Sequence, residues 1–326
     1  MRIVLFRPGA LGDALLALPA LALLGAVAPR PHVTLVARAD VLPLARGAGL
    51  AEDACDFDLP CWSALWQAGA RPRPPAALVL RGADAAIAWC ADDGTLARNL
   101  AACGIPRVIV TPGRSPASAS GTAHTALHLA RTLGPLLPGE PPATLAALPS
   151  IAAALARAED ATAAEAALAR LGVPPRRIVA LHPGSGGAAK RWPAAAYAAI
   201  ARRLLAAGHA PLLLAGPADE AAISAMRAAL GADAARVPVA RDLPLPALLG
   251  VLRRAAAYLG NDSGVSHLAG LAGVPALALF GPTDPAIWAP VGPRVRVIAA
   301  PSPAMAALPV EAVWVALRAM IEAAAR

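Results

Sequence analysis

"RIVALHPGSGGAAKRWP", residues 177–193, decides the fold. An apolar run reaches Leu181, a Gly184-Ser185-Gly186-Gly187 turn follows, and Pro193 stands where a helix can begin, because the first helical turn has no use for its missing N–H. Strand, glycine loop and helix in that order are one unit of a parallel sheet with helical crossovers. The stretch also holds Lys190, the single lysine among 29 basic residues. Successive glycines let backbone amides turn toward one anion, and a helix N-terminus adds about half a positive charge. The loop therefore reads as an anion site, and phosphate is the chemistry that fits. It is not a P-loop, since Ala189 sits where the second glycine belongs and Arg191 replaces the hydroxyl residue that would hold magnesium. It matches G-x-G-x-x-A at Gly184, Gly186 and Ala189, but a dinucleotide fingerprint starts its helix at the second glycine, and here the helix waits until Pro193.

The same alternation runs outward in both directions. Before the loop, the pattern predicts strand 2–7, helix 13–27, strand 32–37, helix 39–47, a less regular stretch, strand 84–90, helix 93–102, strand 107–111 and helix 122–134. Residues 135–150, "PLLPGEPPATLAALPS", are proline-rich and aperiodic and read as a linker. A helix at 151–171, capped by Gly172 and stopped by Pro174 and Pro175, opens the second half. There the pattern predicts strand 177–182, helix 194–207, strand 210–215, helix 218–230, strand 235–239, helix 244–254, strand 256–260, helix 264–273, strands 275–280 and 294–299, and helix 309–325. The expected class is α/β, with doubly wound domains over 1–149 and 150–326 and the last helix free to pack back on the first domain. In such folds ligands sit outside the carboxyl ends of the strands.

Length and composition agree with two domains. At 326 residues, each half is long enough for its own core. The 57% hydrophobic content is mostly alanine and leucine, so Ala-rich helices carry no special message. A net charge of +8, spread without blocks, suits anionic ligands or an anionic membrane surface and gives no nucleic-acid motif. Cys55, Cys61, Cys90 and Cys103 lack metal-type spacing and read as buried small hydrophobes in a reducing compartment. Ala14–Ala28 is apolar and ends in an A-x-A pattern like a signal peptide. The strand and glycine turn before it argue against secretion, and 15 residues fall short of the roughly 20 that span a bilayer. The expectation is a cytoplasmic protein, peripheral to the membrane if it touches it.

Two further stretches carry candidate chemistry. In "YLGNDSGVSHLAGLAGVPALALFGPTDP", residues 258–285, a strand ends at Gly260, Asp262 or Ser263 can cap the next helix, Gly264 removes bulk at its start, and His267 lies on its first turn. The following strand ends in Gly281-Pro282-Thr283-Asp284, at the border of the same cleft. In "RIVLFRPGALGDALLALPAL", residues 2–21, Asp13 begins a helix after strand one. By default it is a cap, favoured by the helix dipole; within reach of an acceptor hydroxyl it can act as general base.

The stretches "RPGALGDALLALPAL", "HPGSGGAAKRWP", "LLLAGPADE" and "GNDSGVSHLAGLAGVPALALFGPTDP" together resemble, in order and spacing, the motifs of glycosyltransferase family nine, the ADP-heptose:lipopolysaccharide heptosyltransferases. The resemblance implies a GT-B fold of two facing Rossmann-like domains with an interdomain cleft, and metal-independent, inverting transfer of a heptose from an ADP-sugar donor to a glycolipid or glycan acceptor of the lipopolysaccharide inner core. It implies no cofactor. It gives Asp13 as base, Ser185, Gly186 and Lys190 as diphosphate contacts, Asp262 on the heptose, and Ser263, Gly264 and His267 near the diphosphate. Asp219 matches an acidic residue on the ribose, which is also where the end of a second strand reads ribose hydroxyls. Leu243 matches an adenine contact. Residues 50–120 match none of the family's motifs.

The chemistry such an enzyme needs is a base on the attacking oxygen and positive charge for the departing diphosphate. The sequence has no His cluster for a metal, so Lys190, the loop amides and the helix at Gly264 are the expected charge. Another acceptor or nucleotide sugar on the same donor site is the nearest alternative reading. A nicotinamide-dependent oxidoreductase and a non-catalytic nucleotide-sugar binder are more distant ones.

Overall fold

The computed structural model describes residues 1–115, 122–173 and 178–325. The chain divides into two compact units, Met1–Ala158 and Glu159–Arg326. The expected helix stop at Pro174 and Pro175 and the first residue of the strand predicted at 177 lie outside the described residues.

Unit one is a five-stranded sheet in the order β3-β2-β1-β4-β5, formed by Arg2–Arg7 (β1), His32–Ala37 (β2), Asp53–Asp56 (β3), Ala85–Trp89 (β4) and Arg107–Thr111 (β5). All four pairings are parallel. The central strands are continuous apolar runs because helices cover both faces. Strand β3 corrects the sequence reading, which left 48–83 irregular. Its residues, Asp-Ala-Cys-Asp, carry no apolar run because β3 is an edge strand paired only with β2. Helix Leu11–Leu23 takes up the first part of the apolar run that resembles a signal peptide and buries it from Ala14 to Leu21. Phe6 meets Trp62 edge to face at 5.3 Å inside this core.

The predicted helix 151–171 is two helices, Ala152–Ala156 and Ala161–Arg170. The break occurs at Asp160, whose Oδ1 accepts the Ala163 amide at 2.9 Å and starts a new helix. The first piece belongs to unit one: Ile151 and Leu155 are buried, and Arg157 Nη2 donates to the Ala48 carbonyl at 2.7 Å. The boundary between units therefore falls beyond the proline-rich segment.

Unit two is a six-stranded sheet, β11-β10-β9-β6-β7-β8, from Ile178–His182 (β6), Ala210–Ala215 (β7), Val239–Arg241 (β8), Ala257–Asn261 (β9), Ala276–Phe280 (β10) and Val295–Ala299 (β11). It too is parallel throughout. Strand β8 lies later than the predicted 235–239, because 231–236 is a 3-10 segment. The last helix, Val310–Ala324, buries Val313, Ala316, Leu317 and Ile321 in the core of this unit. The four cysteines are free and only half-buried, which corrects the expectation of full burial. Among the described residues, no helix is long and apolar enough to cross a membrane.

In each sheet the chain reverses its direction of winding at the centre, between β1 and β4 in unit one and between β6 and β9 in unit two. At such a switch point the loops part and leave a crevice outside the carboxyl ends of the strands. The ends of β1, β6 and β9 carry polar residues described next.

Candidate active site

In unit two, the site is built on the end of β9. Asn261 is fully buried. Its Nδ2 donates to the Pro183 and Gly184 carbonyls at 2.9 and 3.2 Å. Its Oδ1 accepts the Trp192 amide and the Tyr197 hydroxyl, each at 3.1 Å. One side-chain amide thus uses all of its principal bonding directions, and it clamps both ends of the glycine loop to β9.

The clamp brings the predicted residues together. Ser185 Oγ donates to the Asp262 carbonyl at 2.8 Å. Lys190 Nζ and Thr283 Oγ1 both donate to Asp262 Oδ2 at 2.8 Å. The Asp262 side chain is only 7% exposed. His267 Nε2 stands 4.0 Å from Asp262 Oδ1. Ser263 caps helix Gly264–Leu271, its Oγ accepting the Ser266 amide at 3.4 Å. The first amides of that helix have no intrahelical partner, so its positive end faces the cluster made by Ser185, Lys190 and Asp262. Gly186 lies in the same loop and is exposed. The loop continues through a short 3-10 turn, Ala188–Lys190, before helix Ala194–Ala206. It therefore lacks the immediate helix start of a dinucleotide fingerprint.

Asp219 joins through His182, a residue that sequence reasoning missed. His182 ends β6 and is buried, with Nε2 3.0 Å from Asp219 Oδ2 and Nδ1 3.1 Å from Ser263 Oγ. A carboxylate only accepts, so Nε2 carries a proton and donates to it. Asp219 Oδ2 also accepts the Gly216 amide at 2.8 Å. Burial pushes the Asp219 carboxyl up, but the hydrogen bond and charge of His182, the Gly216 amide and the charge of Arg191 outweigh it, and the net displacement is below the ordinary value. Gly184 is required here, since a Cβ at that position would overlap the Asp219 carboxylate. Leu243 is half-buried between β8 and helix Leu245–Arg253, and no bond ties it to the cluster.

In unit one, Asp13 lies in the first turn of helix Leu11–Leu23. Its Oδ2 accepts the Ala10 amide at 3.0 Å, and its Oδ1 pairs with Arg7 Nη2 at 3.2 Å. Arg7, at the end of β1, is a second residue the sequence reading gave no role. Burial lowers its pKa, and Asp13 offsets only part of that effect. Among the described residues, no three His, Cys, Asp or Glu side chains gather as a metal would need.

Residues 146–312 match the model of glycosyltransferase family 9 (heptosyltransferase). This is more than half of the chain, and the chain belongs to that family. Within it, the sequence is 32% identical over 126 residues to lipooligosaccharide heptosyltransferase 2 of Haemophilus influenzae, an alignment that covers 38% of this chain and spans 36% of that relative. The fold matches the glycosyltransferase family 9 structure from Veillonella parvula with a TM-score of 0.76 at 18% identity, over 99% of this chain and 97% of that one. It matches E. coli ADP-heptose lipopolysaccharide heptosyltransferase II with a TM-score of 0.71 at 20% identity, over all of both chains. The fold is thus the two-unit, parallel-sheet α/β architecture of these GT-B structures.

Two consequences of the geometry are measurable. Asn261→Ala takes the side-chain partner from the Trp192 amide and the Pro183 and Gly184 carbonyls, while the Tyr197 hydroxyl keeps the His182 carbonyl, and urea denaturation is expected to show a loss of about 2–3 kcal/mol, the scale of unsatisfied buried polar groups. Wild-type stability in that variant would refute the clamp. A carboxyl whose folded pKa lies below its unfolded value of about 3.9 adds stability that is present above that pH and lost as pH falls through the folded value. Asp219→Asn is therefore expected to lower stability at neutral pH and to flatten its acid dependence below about pH 4. An unchanged acid limb would remove Asp219 from the ion-paired network.

Proposed function

We propose that this protein is an inverting, metal-independent glycosyltransferase that moves a heptose from ADP-heptose to a hydroxyl of a lipopolysaccharide inner-core type acceptor. The observation that carries the reading is the convergence of Ser185, Lys190, Asp262 and Ser263 on the positive end of helix Gly264–Leu271, at the switch point of unit two. Membership of the heptosyltransferase family names the sugar, and the E. coli structural relative, an ADP-heptose lipopolysaccharide heptosyltransferase, suggests the ADP-activated donor.

The residues divide the work as follows. As the glycosidic bond breaks, the diphosphate gains negative charge. The Lys190 ammonium, the amides at Ser185 and Gly186, and the helix beginning at Gly264, next to Ser263 and His267, stabilise it in place of a metal. Asp219, held by His182 and Gly216, reads the ribose, and Leu243 contacts the adenine. Asp262 orients the heptose. With Oδ2 already taking bonds from Lys190 and Thr283, it is a poor nucleophile, which favours a single displacement over a covalent intermediate. Asp13 takes the proton from the acceptor hydroxyl. The acceptor is a glycolipid or glycan, and the net charge of +8 suits peripheral contact with the anionic inner face of the cytoplasmic membrane.

Kinetics with ADP-heptose test the assignment. Asp13→Asn is expected to lower kcat by about 100-fold or more, the scale of general base assistance, with donor affinity nearly unchanged. Turnover near wild type would overturn the base. Lys190→Ala is expected to weaken donor binding, and unchanged affinity would remove Lys190 from the phosphate site.

A further inference from the structure

Arg7 is only 5% exposed at its side chain, and a buried guanidinium is costly unless its donors are used. They are used. Nη1 donates to the Trp89 carbonyl at the end of β4 at 3.0 Å, and Nη2 donates to the Gly113 carbonyl beyond β5 at 3.2 Å. A Cβ at Gly113 would overlap the guanidinium, so glycine there is a condition of the arrangement. The remaining bonds both go to one residue: Nε donates to the Asp13 carbonyl at 3.0 Å and Nη2 to its Oδ1 at 3.2 Å.

A device that only joined strand ends would need the two loop carbonyls. This one also holds Asp13 by main chain and side chain together, while the Ala10 amide holds its other oxygen at 3.0 Å. The carboxylate is fixed at both oxygens and still 29% exposed, so it has one orientation and open faces. A planar fork can do this where an ammonium cannot.

We infer that Arg7 is the positioning residue of Asp13: it fixes the carboxylate in the one orientation from which it takes the proton of the acceptor hydroxyl. The inference rests on the reading of Asp13 as general base.

Several other titratable and charged groups on the neighbouring elements are engaged elsewhere. Cys90, after β4, is pushed up to about 11 by burial and by Asp92, with Arg7 pulling the other way, and is a neutral thiol. Asp92 is taken by the Leu96 and Ala97 amides at 2.9 and 3.1 Å. On helix Thr125–Thr132, packed against helix Leu11–Leu23, His124 Nδ1 accepts the Ala126 amide and His128 Nε2 lies 3.0 Å from the Pro112 carbonyl. Beyond β2, Arg38 and Asp40 pair with each other at 2.6 and 2.7 Å. Together with exposed Asp58, they line a cavity of about 270 Å³ against Pro8 and Gly9. Arg7 is the one cation bonded to Asp13 among the described residues.

The test uses the full chain as wild type, Arg7→Met, Arg7→Lys and Asp13→Asn. Two quantities are followed at neutral pH: turnover of ADP-heptose with a deacylated, heptose-deficient lipopolysaccharide as probe acceptor, and the carbon-13 carboxyl resonance of Asp13, assigned by its loss in Asp13→Asn. Arg7→Met is expected to move and broaden that resonance, since the carboxylate is no longer held in one orientation, and to lower kcat about tenfold or more at an unchanged donor KM. Arg7→Lys, which keeps the charge but not the fork, is expected to restore only part of kcat. If Arg7→Met melts at lower temperature but keeps the wild-type resonance and kcat, Arg7 only ties strand ends and the inference is wrong. If Arg7→Met does not fold, an Arg7→Lys variant with wild-type kcat overturns it equally. Failure of the base reading is seen separately, as Asp13→Asn turning over normally while the Arg7-dependent change of the resonance persists.

Discussion

The buried amide of Asn261 is the constraint on which the unit-two site depends. It sits at the end of β9 and bonds to residues 69 to 78 positions earlier in the chain, at Trp192, Pro183 and Gly184. A glycine loop left to itself has many conformations, and fixing each residue costs about 1–2 kcal/mol of backbone entropy. Asn261 selects one of them. Only because the loop is held at Pro183 and at Trp192 do Ser185 and Lys190, between those anchors, reach the same aspartate. The donor residues of the proposed reaction are thus positioned by a neutral side chain that itself touches no donor.

Unit one solves the matching problem with a charge. There the switch point lies between β1 and β4, and the buried group at the strand end is the Arg7 guanidinium. A neutral amide suffices beside Lys190 and Asp262, which neutralise one another. Asp13 has no such pair among its loop neighbours, and the arginine supplies it. Both units therefore spend a fully bonded buried polar residue at the crossover, and both keep an ionised group at the rim beside it. Parallel strands make this possible, since all their carboxyl ends open on one side.

Much of this was legible in the sequence, and the gaps have physical causes. Strands β6, β9 and β10 are buried on both faces, so their residues form apolar runs that no helix period explains. Edge strands β3 and β8 were missed or shifted because pairing on one side asks for little burial and leaves no run to see. The helix break at Asp160 hid in an alanine-rich stretch, where only a side chain returning to the Ala163 amide marks the new start. Asp13, Ser185, Lys190, Asp219, Asp262, Ser263 and His267 announced themselves by chemistry at strand ends. His182, Asn261 and Arg7 did not, because each ends a strand and reads locally as its last residue. Asp13 lies 6 residues from Arg7, but the other side-chain partners lie 37 to 106 residues away, and no local pattern carries that information.

The central claim is that the end of unit two's sheet is a metal-free site for an adenine nucleoside diphosphate. Calorimetric titration of the full chain with ADP, UDP and GDP in the presence of EDTA tests it most directly. The account predicts saturable ADP binding, tighter than UDP or GDP and unchanged by the chelator. No ADP binding, a preference for another nucleotide, or binding that appears only when a divalent metal is restored would contradict it.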